Sequence, residues 1–343
     1  MRDRLLRLRA WRPSPAAVHR AFLLALVANA GIVVTGGAVR LTASGLGCPE
    51  VPRCTDTSLV PTAEMGAHGV IEFGNRMLTF VLTAAVVGAL LTAVRARRRD
   101  LTRAAALLVA GVAVQALLGA VTVLTELNPL TVMAHFLLSM VLVAIAVRAL
   151  DAASPSGGEQ VVAAAPAVRL GSWALVAAAA ATLAAGTVVT GTGPHSGDDD
   201  ATDRLPFDLA TVTQLHADLV FLLLGLTVGM LVAVHASQPA RGLATRVRVL
   251  LAVLLLQGGV GYAQYVTDLP VLLVGVHILG ATLVWIAAVR VLTHPAQSSS
   301  EPVPASSLTS KTGAPPEPQV TRSSTSPDSE RNLARASRAG PGR

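Results

Sequence analysis

Four histidines of this chain, His68, His135, His216 and His277, fall within or at the edge of apolar stretches. An imidazole is costly to keep in such surroundings, and it usually ligates a metal or moves a proton. Two of the four stand in segments that repeat each other. Gln115, Gly119, Thr125, Leu127 and His135 recur 142 residues later as Gln257, Gly261, Thr267, Leu269 and His277, and Glu126 is matched by Asp268. A ligand-type histidine that occurs twice in register points to two related metal or cofactor sites in two halves of one protein.

The elements that must carry these residues are membrane helices. Only 14% of the 343 residues are charged, well below the quarter or so usual in soluble domains. The charges also lie between long apolar runs. Eight such runs, at 21–39, 71–94, 104–125, 131–150, 170–191, 211–234, 247–266 and 271–292, can be read from the chain. Each has about 20 residues, enough at about 1.5 Å per residue to cross an apolar core of about 30 Å. Arginines at 2, 4, 7, 9, 12 and 20, at 95, 97, 98, 99 and 103, and at 241 and 246 mark alternate loops as the inner side. The opposite loops carry Glu50, Asp56, Glu64, Glu126, Asp198, Asp199, Asp200, Asp203, Asp208 and Asp268. Both termini are therefore expected in the cytoplasm, with the protein in the plasma membrane. The net charge of +7 belongs to this topology signal rather than to a nucleic-acid partner. The first apolar run is too long for a cleaved signal peptide.

The expected organisation is all-α: a polytopic membrane protein of eight transmembrane helices, arranged as two pseudo-repeated four-helix bundles. A basic N-terminus over 1–20 precedes a first bundle over 21–150. A linker over 151–169 leads to a second bundle over 170–292. A Ser-, Pro- and Arg-rich tail over 293–343 lacks the apolar residues needed to order itself. The first helix of each half repeats too: Gly31, Val33, Val34, Thr35 and Gly36 recur as Gly186, Val188, Val189, Thr190 and Gly191. Small residues at these positions let helices approach closely.

The bundle arrangement sets what the histidines can do. His135, His216 and His277 each enter their helix five to seven residues from the acidic-loop end, a shared depth of roughly 8–10 Å. Facing helices that carry His216 and His277 can clamp a haem between two imidazoles, a saturated iron suited to electron transfer. The residue 141 positions before His216 is Asn75, a poor haem ligand. His135 as a single ligand leaves an open position on the iron, where oxygen can bind.

Glu72 and Arg76 are four residues apart and face each other on one helix. They form either a structural ion pair or a reactive carboxylate beside the substrate, with Arg76 or Arg40 pairing a haem propionate. Cys48 and Cys54 lie in the first outer loop, on an oxidising side. A disulfide, metal delivery and a labile redox pair all fit that spacing. His195, in an outer loop, is placed to cover the second site. His19, His235 and His294 lie at inner helix ends, where a solvated imidazole needs no special role.

Taken together these residues resemble the haem A synthase family over nearly all of 20–292. The motifs are Thr35-Gly36-Gly37-Ala38-Val39-Arg40-Leu41-Thr42 with Ser44-Gly45-Leu46-Gly47-Cys48-Pro49, Ile71-Glu72 with Arg76, Gln115 and Gly119 before His135, Gly191-Thr192-Gly193-Pro194-His195, His216 and His277. The resemblance implies an oxidoreductase that converts the C8 methyl of haem O to a formyl group, giving haem A for cytochrome c oxidase. It implies haem b, and hence iron, bound axially by His216 and His277 in the second half. It further implies a paired Cys48 and Cys54, and a substrate site in the first half with His135 and catalytic Glu72. The family pattern has histidine where this chain has Asn75. Either the substrate iron has one protein ligand, or His68 replaces the missing one. Haem O synthase, the protohaem farnesyltransferase that supplies an insoluble substrate, is an expected partner, beside membrane lipid and an unidentified electron donor.

Three other readings compete. A haem b electron-transfer protein without haem-modifying activity needs two bis-histidine sites, and Asn75 argues against the second. A haem-handling assembly factor predicts no dependence on Glu72. A transporter is disfavoured because no apolar run is interrupted by proline near its centre.

Overall fold

The computed structural model describes residues 12–154, 166–195, 197–199, 203–236 and 241–293. The N-terminal arginines 2–9, residues 155–165 of the expected linker, Asp200, His294 and the rest of the tail lie outside the described residues.

Among the described residues eight helices follow in order: α1 (Pro15–Leu41), α2 (Gly66–Arg95), α3 (Arg99–Leu124), α4 (Pro129–Ala153), α5 (Pro166–Thr192), α6 (Leu209–Ala236), α7 (Arg241–Val266) and α8 (Val271–Leu292). A single 3-10 turn, Ala63–Met65, precedes α2, and no strand occurs among the described residues. All eight helices are long and apolar enough to cross a membrane. They extend past the apolar runs, because the helix keeps its backbone hydrogen bonds as the sequence turns polar. Thus α4 continues to Ala153 and α5 begins at Pro166, at the two margins of the expected linker.

Local signals set the helix starts. Ser14 caps α1 by accepting the Ala17 amide at 3.2 Å, with Pro15 in the first turn. Asn128 caps α4 by accepting the Leu130 amide at 3.0 Å, with Pro129 following. The turn before α4 holds Glu126 and Leu127 at φ of 52° and 60°. The turn before α8 holds Asp268 and Leu269 at 58° each. The repeated Thr-acid-Leu motif is therefore a tight turn built from two left-handed residues, an arrangement that costs about 1 kcal/mol or more per residue.

In the first group of helices α1 packs on α2 and α4, and α3 packs on α2 and α4. In the second, α5 packs on α6 and α8, and α7 packs on α6 and α8. The two groups meet where α1 and α4 touch α8, and where α4 touches α5. The core is made mainly of small and branched residues, among them Ala89, Ala105, Val143, Leu175, Leu250 and Ala288, with Phe22 buried beside them. Large apolar side chains such as Leu117, Leu170, Leu256 and Leu272 point outward, as expected of a surface that faces lipid.

The seam between the groups is fastened at both ends and at its centre. At the basic-loop end, Asp151 of α4 accepts from Arg246 of α7 at 2.8 Å, from Arg290 of α8 at 3.5 Å and from the Thr293 hydroxyl. Midway, Trp285 Nε1 donates to the Met140 carbonyl at 2.7 Å. At the acidic-loop end, Arg40 donates to the carbonyls of His195 at 2.7 Å and Thr190 at 3.1 Å.

Candidate functional site

In the second group, His216 of α6 and His277 of α8 come together across the bundle. Their ring centres are 6.5 Å apart and the planes cross at 63°. An iron between two imidazoles needs about 2 Å to each nitrogen and roughly 1 Å more to each ring centre, hence about 6 Å in all. The pair fits that requirement. His216 Nδ1 lies 3.1 Å from the Thr182 carbonyl. A carbonyl only accepts, so Nδ1 carries the proton and Nε2 presents a lone pair, the tautomer a metal requires. His277 Nδ1 is buried and has no partner.

Glycines make room for these rings. A Cβ at Gly186 of α5 would stand 3.1 Å from His216 Cε1, and one at Gly261 of α7 would stand 3.1 Å from His277 Cε1. In the first group a Cβ at Gly119 of α3 would stand 3.2 Å from His135 Cε1 of α4. The repeated glutamines brace the same helices: Gln115 Nε2 donates to the His135 carbonyl and Gln257 Nε2 to the His277 carbonyl, each at 2.9 Å. His135 Nδ1, like that of His277, is buried without a partner.

Across from His135 the first group differs. The Thr35 hydroxyl of α1 donates to Asn75 Oδ1 at 2.8 Å, turning the Asn75 carboxamide toward α1. Gly31, which repeats as Gly186, has nothing within 4 Å of where a Cβ would stand. A cavity of about 240 Å³, lined by residues that include Gly31, Thr35, Leu78 and Leu82, opens beside it. The seat that receives the His216 ring in the second group is empty of side chain in the first.

Glu72 is 5% exposed. Its Oε2 accepts the Cys48 amide at 2.5 Å, and its Oε1 accepts Arg76 Nε at 3.1 Å and Nη2 at 2.5 Å. Arg76 also donates to the carbonyls of Cys48, Glu50 and Arg53. All five guanidinium donors are thus engaged, so Arg76 stitches the first outer loop onto α2 and has no donor left for a propionate. Cys48 and Cys54 form a disulfide within that loop. The structure therefore joins Glu72, Arg76 and the cysteines, which the sequence presents as separate features.

Arg40 stands elsewhere, on the seam at the acidic-loop end. His68 is exposed at the start of α2, with Nδ1 3.0 Å from the Ser44 hydroxyl, two helical turns before Asn75. His195 Nε2 donates to the Leu269 carbonyl at 3.2 Å, in the turn that leads into the helix bearing His277. His19 approaches Ser154 at 3.4 Å and His235 is bonded to Leu231 of its own helix, both at the basic-loop end.

The family model for cytochrome oxidase assembly proteins (COX15-CtaA) matches residues 19–196. The chain belongs to this family. The matched stretch takes in α1 to α5, so it covers the Glu72 loop, Asn75 and His135, and ends before His216. A heme A synthase of Geobacillus kaustophilus (strain HTA426) is 34% identical over 106 residues, 30% of this chain and 32% of that protein. The alignment thus spans about a third of that relative's length. Membership makes haem the group to test against the two histidine sites, and the ring geometry of His216 and His277 admits it.

Three contributors escape the sequence. Thr35 shows as a member of a repeat and of a motif, with no sign that it orients Asn75. The Thr182 carbonyl leaves no sequence signal. Asp198 shows as one of a run of acidic residues, although it accepts the Leu46 amide at 3.3 Å.

Proposed function

We propose that this protein is a haem A synthase, oxidising the C8 methyl of haem O to a formyl group by successive hydroxylation. Each step replaces a C–H bond by C–OH, with O2 as the oxidant: one oxygen atom enters the C–H bond, and two electrons from the donor and two protons reduce the other to water. The gem-diol from the second step loses water to leave the aldehyde. The observation that carries the reading is the contrast between the ring pair His216 and His277 and the first group, where His135 has a glycine seat and Asn75 is bonded to Thr35.

His216 and His277 hold haem b in this reading, with the Thr182 carbonyl fixing the tautomer of His216. Haem b supplies one-electron storage and transfer when bound. His135 would hold the substrate iron, and Asn75, its carboxamide bonded to Thr35, would supply no second imidazole. Glu72 is the carboxylate at the substrate site, where Oε1 or Oε2 can take a proton from the methyl or stabilise charge developing on it. Arg76 and the Cys48 amide hold that carboxylate in one place. The acidic-loop end faces outward and both termini lie in the cytoplasm, with haem O delivered through the plasma membrane by haem O synthase. The electron donor is a separate protein or quinol.

Membranes from cells that co-express this chain with a haem O synthase test the proposal by acid extraction and chromatography of haems. Haem A or its hydroxymethyl precursor is expected only when the chain is present. One observation favours an alternative: Glu72 is already held by an ion pair and a loop amide, as in a purely structural role. Purified protein that carries haem b but leaves haem O unchanged would establish that alternative, a membrane haem b electron-transfer protein.

A further inference from the structure

Two carboxylates from different halves grip one short loop. Glu72 of α2 accepts the Cys48 amide at 2.5 Å. Asp198, in the segment after α5, accepts the Leu46 amide at 3.3 Å, and its neighbour Gly197 accepts the Gly45 amide at 2.8 Å. The two acids thus hold amides two residues apart, and they are close enough for their charges to interact. The seam between the segments is tight. A Cβ at Gly45 would stand 2.9 Å from the Gly197 carbonyl oxygen, and one at Gly197, whose φ is +115°, would stand 3.1 Å from Leu127. Arg40 and His195 tie the same segment to α1 and to the turn before α8.

The loop is therefore secured from two sides. The Cys48–Cys54 disulfide and Arg76 hold its far portion against α2. From the second half, Gly197 and Asp198 hold the backbone amides of its near portion. The Cys48 amide is the backbone donor to Glu72 among the described residues.

We propose that Asp198 is a positioning residue for Glu72, acting through the Leu46 amide and the Ser44–Cys48 loop. The second half then completes the substrate site of the first. This rests on the reading of Glu72 as the carboxylate that works on substrate. A shift of about 1 Å in such a group can cost about a hundredfold in rate.

The test uses the full chain with its haem, as Asp198→Ala and Asp198→Asn. Hydrogen exchange read by mass spectrometry reports the amides of Leu46 and Cys48, and kcat and KM for haem O report the site. Asp198→Ala is expected to speed exchange in the loop and to lower kcat by about tenfold or more, with KM and cofactor haem content near those of the parent. Asp198→Asn retains an oxygen that accepts the Leu46 amide, so it is expected to restore both. Unchanged exchange in Asp198→Ala would overturn the proposal, as would faster exchange with unchanged turnover. Loss of cofactor haem with faster exchange throughout the helices would also overturn it, assigning Asp198 to the fold in general. Glu72→Gln keeps the two failures apart: parental turnover there removes the reading of Glu72 and leaves the loop result standing.

Discussion

The two groups of four helices build the same seats and fill them differently. In the second, Gly186 and Gly261 each receive an imidazole and the two rings stand 6.5 Å apart. In the first, Gly119 receives His135, while Gly31 faces open space because Asn75 bonds to Thr35. In the proposed reading, this difference separates a site that would saturate a metal from one that would leave a side free. The first group adds what the second lacks, a buried carboxylate under a disulfide-braced loop. A closed site suits holding and passing electrons, and an open one suits reaction.

The sharpest way to break this comparison is to remove a ring. His216→Ala or His277→Ala should lower the haem b content of purified protein by more than about tenfold, read from the pyridine haemochrome spectrum. His135→Ala should leave that content intact. Equal losses from all three variants would mean that the groups do not divide the work.

Glu72→Ala is expected to reduce haem O conversion by about a hundredfold or more while haem b is retained. It also strands Arg76 beside a loop it must still hold, so a drop of about 3 kcal/mol in stability should accompany it. Denaturation of the variant, followed by its spectrum, separates the two effects.

Glycine seats give a subtler contrast. Gly186→Ala crowds the His216 ring and should weaken haem b binding by roughly tenfold. Gly31→Ala meets nothing and should leave haem b content unchanged. Asn75→His asks the reverse question. It should give the first site a second imidazole, visible as a low-spin spectrum on adding haem O. The smallest effect is expected at Glu126→Gly in the turn before α4, where φ is 52° and the side chain is exposed. Relief of left-handed strain should leave the melting temperature unchanged or raise stability by up to about 1 kcal/mol.

Sequence alone makes the eight helices plain, because apolar length and arginine placement are physical requirements of a membrane. It also picks out His135, His216 and His277 by depth and spacing. What it hides is the reach of polar side chains across the bundle. Glu72 and Arg76 read as neighbours on one helix, yet their main work is on backbone groups of residues 48 to 53. Arg40 reads as a propionate partner, and the sequence does not show that it also donates to carbonyls from the other half. A backbone carbonyl or amide has no letter of its own in a sequence, so contacts that end on one are invisible until the fold is known. The repeated glycines show the same limit: Gly119 and Gly261 read as close-packing residues, and only the fold reveals a histidine ring against each.

Asp151 and its three partners have a mechanical consequence. With that clasp at one end of the seam and Arg40 at the other, the two helix groups have no free edge on which to pivot. Rocking one group against the other would break these contacts, whereas the cavity beside Gly31 opens between α1 and α2 and leaves them intact.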